Sequence, residues 1–323
     1  MRYFALAILM TTLLLVGGCS PLVQRTGAEN RSPAMEKNAF YMRDGARLPL
    51  KIWKAEKTEA VLIAVHGFND YRNGFAFPAS WWLQKGITTY AYDQRGFGET
   101  EQRGVWASDK LLISDLKSIV RLVRQKEGSK PIYLIGESMG GAVVMSSVVE
   151  KDFPKIDGII LSAPAVWGWQ SLNPFYKMSL WVSAHLFGGV KATGKGLGIQ
   201  ASDNIPMLRN LGRDPLFIKK TRIDAVYGIV GIMDRAYDTP EKLTLPTLVL
   251  YGANDEVIPK PPVEDVVARL PKSADIALYK DGWHLLMRDL QAPVVWKDIA
   301  HWVKKRELPS GSKISRLPLF PDL

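Results

Sequence analysis

The 323-residue chain has a single cysteine, Cys19, so no disulfide can form within it. Its four histidines are scattered, and no His/Cys/Asp/Glu cluster has zinc-ligand spacing, so no metal is expected. Nucleotide-binding loops are missing too. Gly96-Phe97-Gly98 stops short of a full dinucleotide fingerprint, no Walker sequence occurs, and no cofactor is expected. Basic residues outnumber acidic ones, 42 to 32, but no basic run with interleaved aromatics forms, so nucleic acid is not an expected partner. A net charge of +10 equally suits anionic lipid headgroups.

Residues 3–16 are apolar but too few to span a bilayer comfortably. They follow Met1-Arg2 and lead into Gly17-Gly18-Cys19, the layout of a signal peptide. Val16-Gly17-Gly18-Cys19 resembles the bacterial lipobox. That resemblance implies removal of residues 1–18 and lipidation of Cys19 as the new N-terminus. Ser20, rather than an aspartate, follows Cys19. The expected location is therefore the cell envelope, anchored at the outer membrane and facing the periplasm. Residues 19–37 are polar and aperiodic, which suggests a flexible tether.

Asp44-Gly45 between 39–43 and 48–54 predicts an opening hairpin. Apolar runs at 60–65, 87–92, 132–135, 158–162, 247–251 and 274–279 read as strands buried on both faces. Helical patterns at 110–125, 139–151, 263–270 and 294–304 lie between or after them. This alternation predicts an α/β fold with a mainly parallel central sheet and helices on both faces, spanning 38–164 and 244–306. Residues 165–243 interrupt it. They are too long and too apolar for a loop and predict a helical cap insertion. Residues 307–323, with three prolines, suggest a loosely packed tail.

The strand at 132–135 runs into Gly136-Glu137-Ser138-Met139-Gly140-Gly141 and then a helical segment. A G-x-S-x-G turn in that context raises a serine hydroxyl above the carboxyl edge of the sheet, at a helix N-terminus suited to developing negative charge. Ser138 is the candidate nucleophile, and it needs a base. Of the histidines, His185 lies in the apolar insertion, His301 in the last helix, and His66 directly after a strand. His284 follows the 274–279 strand on a loop at the serine's edge and is favoured. Asp255, on the loop after 247–251, is favoured over Glu256 and Asp281 to orient that histidine. The oxyanion donors are expected to be the N–H groups of Met139 and Phe68, with His66 as scaffold for the latter loop. Asp93 and Arg95 read as loop-fixing charges.

His66-Gly67-Phe68, the run from Asp93 to Gly98, Gly136 to Gly141 and Gly252-Ala253-Asn254-Asp255 stand in one order. Together they resemble the monoacylglycerol lipase and lysophospholipase branch of the α/β hydrolases, which is grouped with serine aminopeptidase-like sequences. Glu137 stands where animal members commonly have histidine. The resemblance implies a serine ester hydrolase acting on a long-chain acyl lipid, a monoglyceride or a lysophospholipid, through an acyl-enzyme. Trp167, Trp169 and Trp181 of the insertion are then candidates to line an acyl tunnel or to touch a membrane. Two other readings stay open. An aminopeptidase needs an acidic anchor in the cap, for which Asp203, Asp214, Asp224 and Asp234 are available. A non-catalytic binding module is the other, although all three triad positions are filled.

Overall fold

The computed structural model describes residues 20–314. Cys19 and the segment expected to be a signal peptide lie outside the described residues. A nine-stranded sheet forms the centre. Its strands, in chain order, are β1 (Ala34–Met35), β2 (Ala39–Tyr41), β3 (Arg47–Trp53), β4 (Ala60–Val65), β5 (Ile87–Tyr92), β6 (Ile132–Glu137), β7 (Gly158–Ser162), β10 (Thr247–Gly252) and β11 (Asp275–Tyr279). Strands β8 (Lys191–Ala192) and β9 (Thr221–Arg222) form a separate small ribbon in the insertion. Across the main sheet the order is β1-β2-β3-β5-β4-β6-β7-β10-β11. The first three strands run antiparallel to their neighbours, and the rest are parallel. The expected hairpin is β2–β3, turned at Gly45 with φ of 82°.

Every residue of β4, β5, β6, β7 and β10 is buried because both sheet faces are covered. On β4, Val61, Ile63 and Val65 point to one face, and Leu62 and Ala64 to the other. The first face packs on α2 (Asp109–Glu127), α3 (Met139–Val148), α6 (Ile223–Tyr237) and α7 (Lys260–Arg269). The second packs on α1 (Ala76–Trp82) and α8 (Ala292–Lys305), with Trp82 and Trp302 fully buried. Helix α1 escaped the sequence expectation, since Pro78 and a length of seven residues blur its period.

β4 sits between β5 and β6, so the chain leaves β4 in one direction and later returns to its other side. Such a reversal opens a crevice at the strands' carboxyl ends. The insertion between β7 and β10 covers it with α4 (Pro174–Phe187), α5 (Ile205–Arg213) and α6. Helix α6 is not a separable lid. Its Ile229, Val230, Ile232 and Met233 join the main core, and it packs on α3.

Both ends depart from expectation. Val23 bridges to Trp106, and the Gln24 N–H donates to the Trp106 carbonyl at 2.8 Å, so the tether is docked from there onward. At the other end Lys313 bridges Ala277, and the Ile314 N–H donates to the Ile276 carbonyl at 3.1 Å. The unpaired edge of β11 has backbone groups to satisfy, and this segment of the tail supplies them.

Candidate active site

The turn between β6 and α3 holds Ser138 at φ 53° and ψ −117°, a conformation costly for a residue with a side chain. Backbone bonds hold it there: the Ser138 N–H donates to Ser162 at 2.9 Å, and its carbonyl accepts from Ala165 at 3.0 Å. The flanking glycines are sterically required. A Cβ on Gly140 would lie 1.9 Å from the Val65 carbonyl oxygen, and one on Gly136 would lie 2.4 Å from that of Gly140. That close approach is what lets α3 start directly above β4 and β6.

Across the crevice, Asp255 Oδ2 lies 2.9 Å from His284 Nδ1, and both residues are buried. The other carboxylate oxygen accepts from the N–H groups of Val257 and Ile258 at 2.8 and 3.0 Å, so Asp255 is fixed at both ends. With a carboxylate on Nδ1, the proton sits there and Nε2 is left free as base. Its rivals lie elsewhere: Glu256 accepts from the Gln200 N–H, and Asp281 is exposed to solvent.

Ser138 and His284 line one cavity of about 510 Å³, together with Gly67 and Phe68. Met139 begins α3, where an N–H precedes the intrahelical ladder. Among the described residues neither Met139 nor Phe68 donates its N–H to a protein backbone acceptor outside the regular elements. His66 is committed at both nitrogens. Nε2 accepts from the Gln94 N–H at 2.9 Å, so Nδ1 donates to the Gly67 carbonyl at 2.8 Å. Burial lowers its pKa, which keeps it neutral. It is a scaffold for the Gly67-Phe68 loop. His185 stacks on Trp181 on the insertion's surface. Arg95 clamps Asp44 and Asp115, while Asp93 pairs with Arg72, so both are loop-fixing charges.

Of the three tryptophans, only Trp167 lines the cavity that Ser138 and His284 share. Trp169 and Trp181 line a separate surface hollow with Met178 and Tyr227. The acyl-tunnel expectation fails for Trp169 and Trp181, while the membrane alternative is untouched: α4 leaves Trp181 exposed, and Trp169 packs edge-on to Tyr227 of α6. Leu208 and Leu211 of α5, Phe217, and Ile229 and Met233 of α6 supply the apolar walls instead.

Sequence reasoning missed a charged cluster in the same cavity. Arg288 Nη1 lies 2.6 Å from Asp70, and Nη2 lies 3.2 Å from Glu137, with all three side chains buried. Burial pushes the Glu137 carboxyl above its usual range, and the nearby guanidinium offsets part of that. Burial alone would lower Arg288, but the Asp70 and Glu137 carboxylates more than reverse it, so the guanidinium stays charged. Asp289 next door accepts from the Ser202 hydroxyl at 2.6 Å and the Trp283 N–H at 2.8 Å. With Leu285 donating to the Ala201 carbonyl, it ties the His284 loop to the cap. Residues 70, 137 and 288 carry no shared spacing, and only the fold brings them together.

The four aspartates considered as amine anchors are all engaged. Asp203 accepts from Leu290, Asp214 from Tyr71, Asp224 from Arg222 and Asp234 from Gln170, and none lines the cavity.

The model of the serine aminopeptidase S33 family matches residues 56–291. The chain is similar to human monoglyceride lipase, 26% identical over 289 residues, covering 83% of this chain and 90% of that one. It is also similar to a monoacylglycerol lipase of Mycolicibacterium smegmatis, 22% identical over 278 residues, covering 84% and 98%. The fold is shared with a soluble variant of Saccharomyces cerevisiae monoglyceride lipase. That match has a TM-score of 0.70 at 19% identity, with 89% and 98% of the two chains covered.

Proposed function

Because the chain belongs to the serine aminopeptidase S33 family of α/β hydrolases and is a carboxylic ester hydrolase, we propose that its substrate is a single-chain acyl lipid, a monoglyceride or lysophospholipid. The observation that carries this is the apolar cavity of about 510 Å³ that opens onto Ser138 and His284. That volume falls within the range of small-ligand pockets and suits one acyl chain.

Nε2 of His284 takes the Ser138 proton as the hydroxyl oxygen bonds to the ester carbon. Asp255 stabilises the imidazolium through Nδ1. The negative carbonyl oxygen is held by the Phe68 and Met139 N–H groups, each contributing about 3 kcal/mol. Collapse breaks the carbon–alkoxy bond, and His284 returns the proton to the departing alcohol. Water, deprotonated by His284, then attacks the acyl-serine, and the fatty acid leaves as Ser138 regains its hydrogen.

A panel of p-nitrophenyl esters of graded length tests the substrate class. Each buried methylene contributes about 0.8 kcal/mol, close to fourfold in apparent affinity, so kcat/KM should climb from acetyl to long acyl esters. An enzyme fastest on acetyl esters contradicts the lipid assignment. The lipobox resemblance supports lipidation at Cys19 and an outer-membrane location facing the periplasm, and mass spectrometry of the mature N-terminus tests both the cleavage and the lipid.

A further inference from the structure

The amino-terminal segment is clasped to the loop between β5 and α2. Gln24 is buried there, although both neighbours are exposed. Its N–H donates to the Trp106 carbonyl at 2.8 Å, and its side-chain amide donates to the Val105 carbonyl at 2.9 Å. Gln102 completes the clasp, accepting from the Arg25 N–H at 3.0 Å and donating to the Arg25 carbonyl at 2.9 Å. The fit is close. A Cβ on Gly96 would lie 2.5 Å from the Val105 oxygen and 3.0 Å from the Gln24 amide nitrogen, and one on Gly27 would lie 2.4 Å from the Asp44 oxygen. A trailing tether has no need of such contacts, because ordering its backbone costs entropy that they must offset.

Trp106 carries that contact inward. It is buried, and its indole packs on the cap so closely that a Cβ at Gly228 of α6 would lie 2.3 Å from it. The indole N–H is held by the Asp109 carboxylate at the start of α2. The same ring meets Phe68 edge-on, with centroids 6.4 Å apart. Phe97, from the same loop, meets Phe68 at 5.6 Å and His66 at 5.5 Å, again edge-on. The Phe68 ring is therefore seated against two aromatics of one loop, and the N–H on its own backbone follows where the ring is held.

We infer that Gln24 and Trp106 are positioning residues for ester hydrolysis: Gln24 pins Trp106, Trp106 seats the Phe68 ring, and the seated ring aims the Phe68 N–H at the ester's carbonyl oxygen. This rests on the reading of Phe68 as an oxyanion donor. Neither Gln24 nor Trp106 lines the cavity, so both act through Phe68 and not on the substrate. A donor already aimed at the developing charge lowers the barrier because nothing has to reorganise as that charge forms. The gain is confined to the transition state, so it belongs in kcat rather than in KM.

Gln24→Pro in the full chain tests this, since it removes the N–H and the side-chain amide together. On dissolved p-nitrophenyl butyrate, kcat should fall roughly tenfold or more, because complete loss of an oxyanion donor costs about 10²–10³-fold. KM should stay within about twofold of wild type. Affinity for an alkyl trifluoromethyl ketone, which forms a hemiketal oxyanion on Ser138, should weaken in proportion to kcat. The acid limb of the pH–rate profile should not move, because Asp255 and His284 are untouched. Trp106→Ala should give the same signature, and Trp106→Phe should recover most of the loss by keeping an aromatic ring against Phe68. A clasp that only stabilised the fold would lower the melting temperature of Gln24→Pro and leave kcat and ketone affinity unchanged well below the melt. That result overturns the inference. Phe68→Pro, which deletes the donor itself, keeps the two readings apart. Turnover lost in Phe68→Pro but retained in Gln24→Pro and Trp106→Ala leaves the oxyanion role standing and refutes the positioning. Turnover retained in Phe68→Pro refutes the oxyanion role, and the positioning falls with it.

Discussion

Replacing Asp255 with asparagine separates hydrogen-bond geometry from charge. Oδ1 of Asp255 accepts two backbone N–H groups, from Val257 and Ile258, and Oδ2 accepts from His284 Nδ1. An asparagine can keep the first pair only by placing its carbonyl there and its NH2 against His284. The NH2 then donates to Nδ1, which drives the imidazole proton to Nε2, the nitrogen that must accept from Ser138. The opposite flip would leave two buried N–H donors facing an NH2 group, at about 1–3 kcal/mol each. The wrong tautomer therefore prevails, and kcat should fall roughly 10⁴-fold, equivalent to about 5.5 kcal/mol of barrier. Hydrolysis of a soluble p-nitrophenyl ester measures this, with circular dichroism confirming an unchanged fold. Activity within tenfold of wild type, or a larger loss from Glu256→Gln, would refute the reasoning.

Trp167→Ala should flatten the dependence of kcat/KM on acyl length, whereas the Trp169→Ala, Trp181→Ala double variant should keep the slope with dissolved esters; the p-nitrophenyl series measures both. Arg288→Met leaves the Asp70 and Glu137 carboxyls buried without their cation and should cost about 3–5 kcal/mol in urea denaturation, with partial recovery when Glu137→Gln is added. Burial lifts the Asp289 carboxyl to about 6, so the folded state holds this proton more tightly than the unfolded chain does. Its contribution to stability is fullest below about pH 4 and is lost as pH rises toward about 6, up to roughly 3 kcal/mol in all. Thermal melts across that window should show a shallower decline for Asp289→Asn, and identical slopes would argue against the shifted carboxyl.

Much of the candidate site is legible because its constraints are local. The glycines around Ser138 answer a steric demand within a few residues, and the doubly buried strands announce themselves as unbroken apolar runs. Asp255 and His284 are readable because each follows a strand whose end must lie at one edge of a parallel sheet. The Asp70–Arg288–Glu137 cluster is not legible. Charged residues far apart in the chain look solvated until a fold buries them together. Whether Trp181 faces the cavity depends on the rotation of α4 about its axis, and an apolar helix with no polar stripe does not encode that angle. The docking of residues 23–24 and 312–314 includes backbone hydrogen bonds that any side-chain sequence can supply, and side-chain contacts that add to it, such as Gln102 with Arg25 and Lys313 with Asp275, share no readable spacing.

Covalent trapping of Ser138 tests the catalytic assignment most directly. A fluorophosphonate reacts with a serine only when a base activates its hydroxyl and donors accept the resulting oxyanion. Peptide mass spectrometry after such labelling should place one adduct on Ser138 and none on Ser118, Ser146, Ser147 or Ser162, which are also buried. Ser138→Ala should remove the adduct together with ester turnover. A protein that stays unlabelled while folded, or one labelled at another serine with turnover surviving in Ser138→Ala, would contradict the assignment.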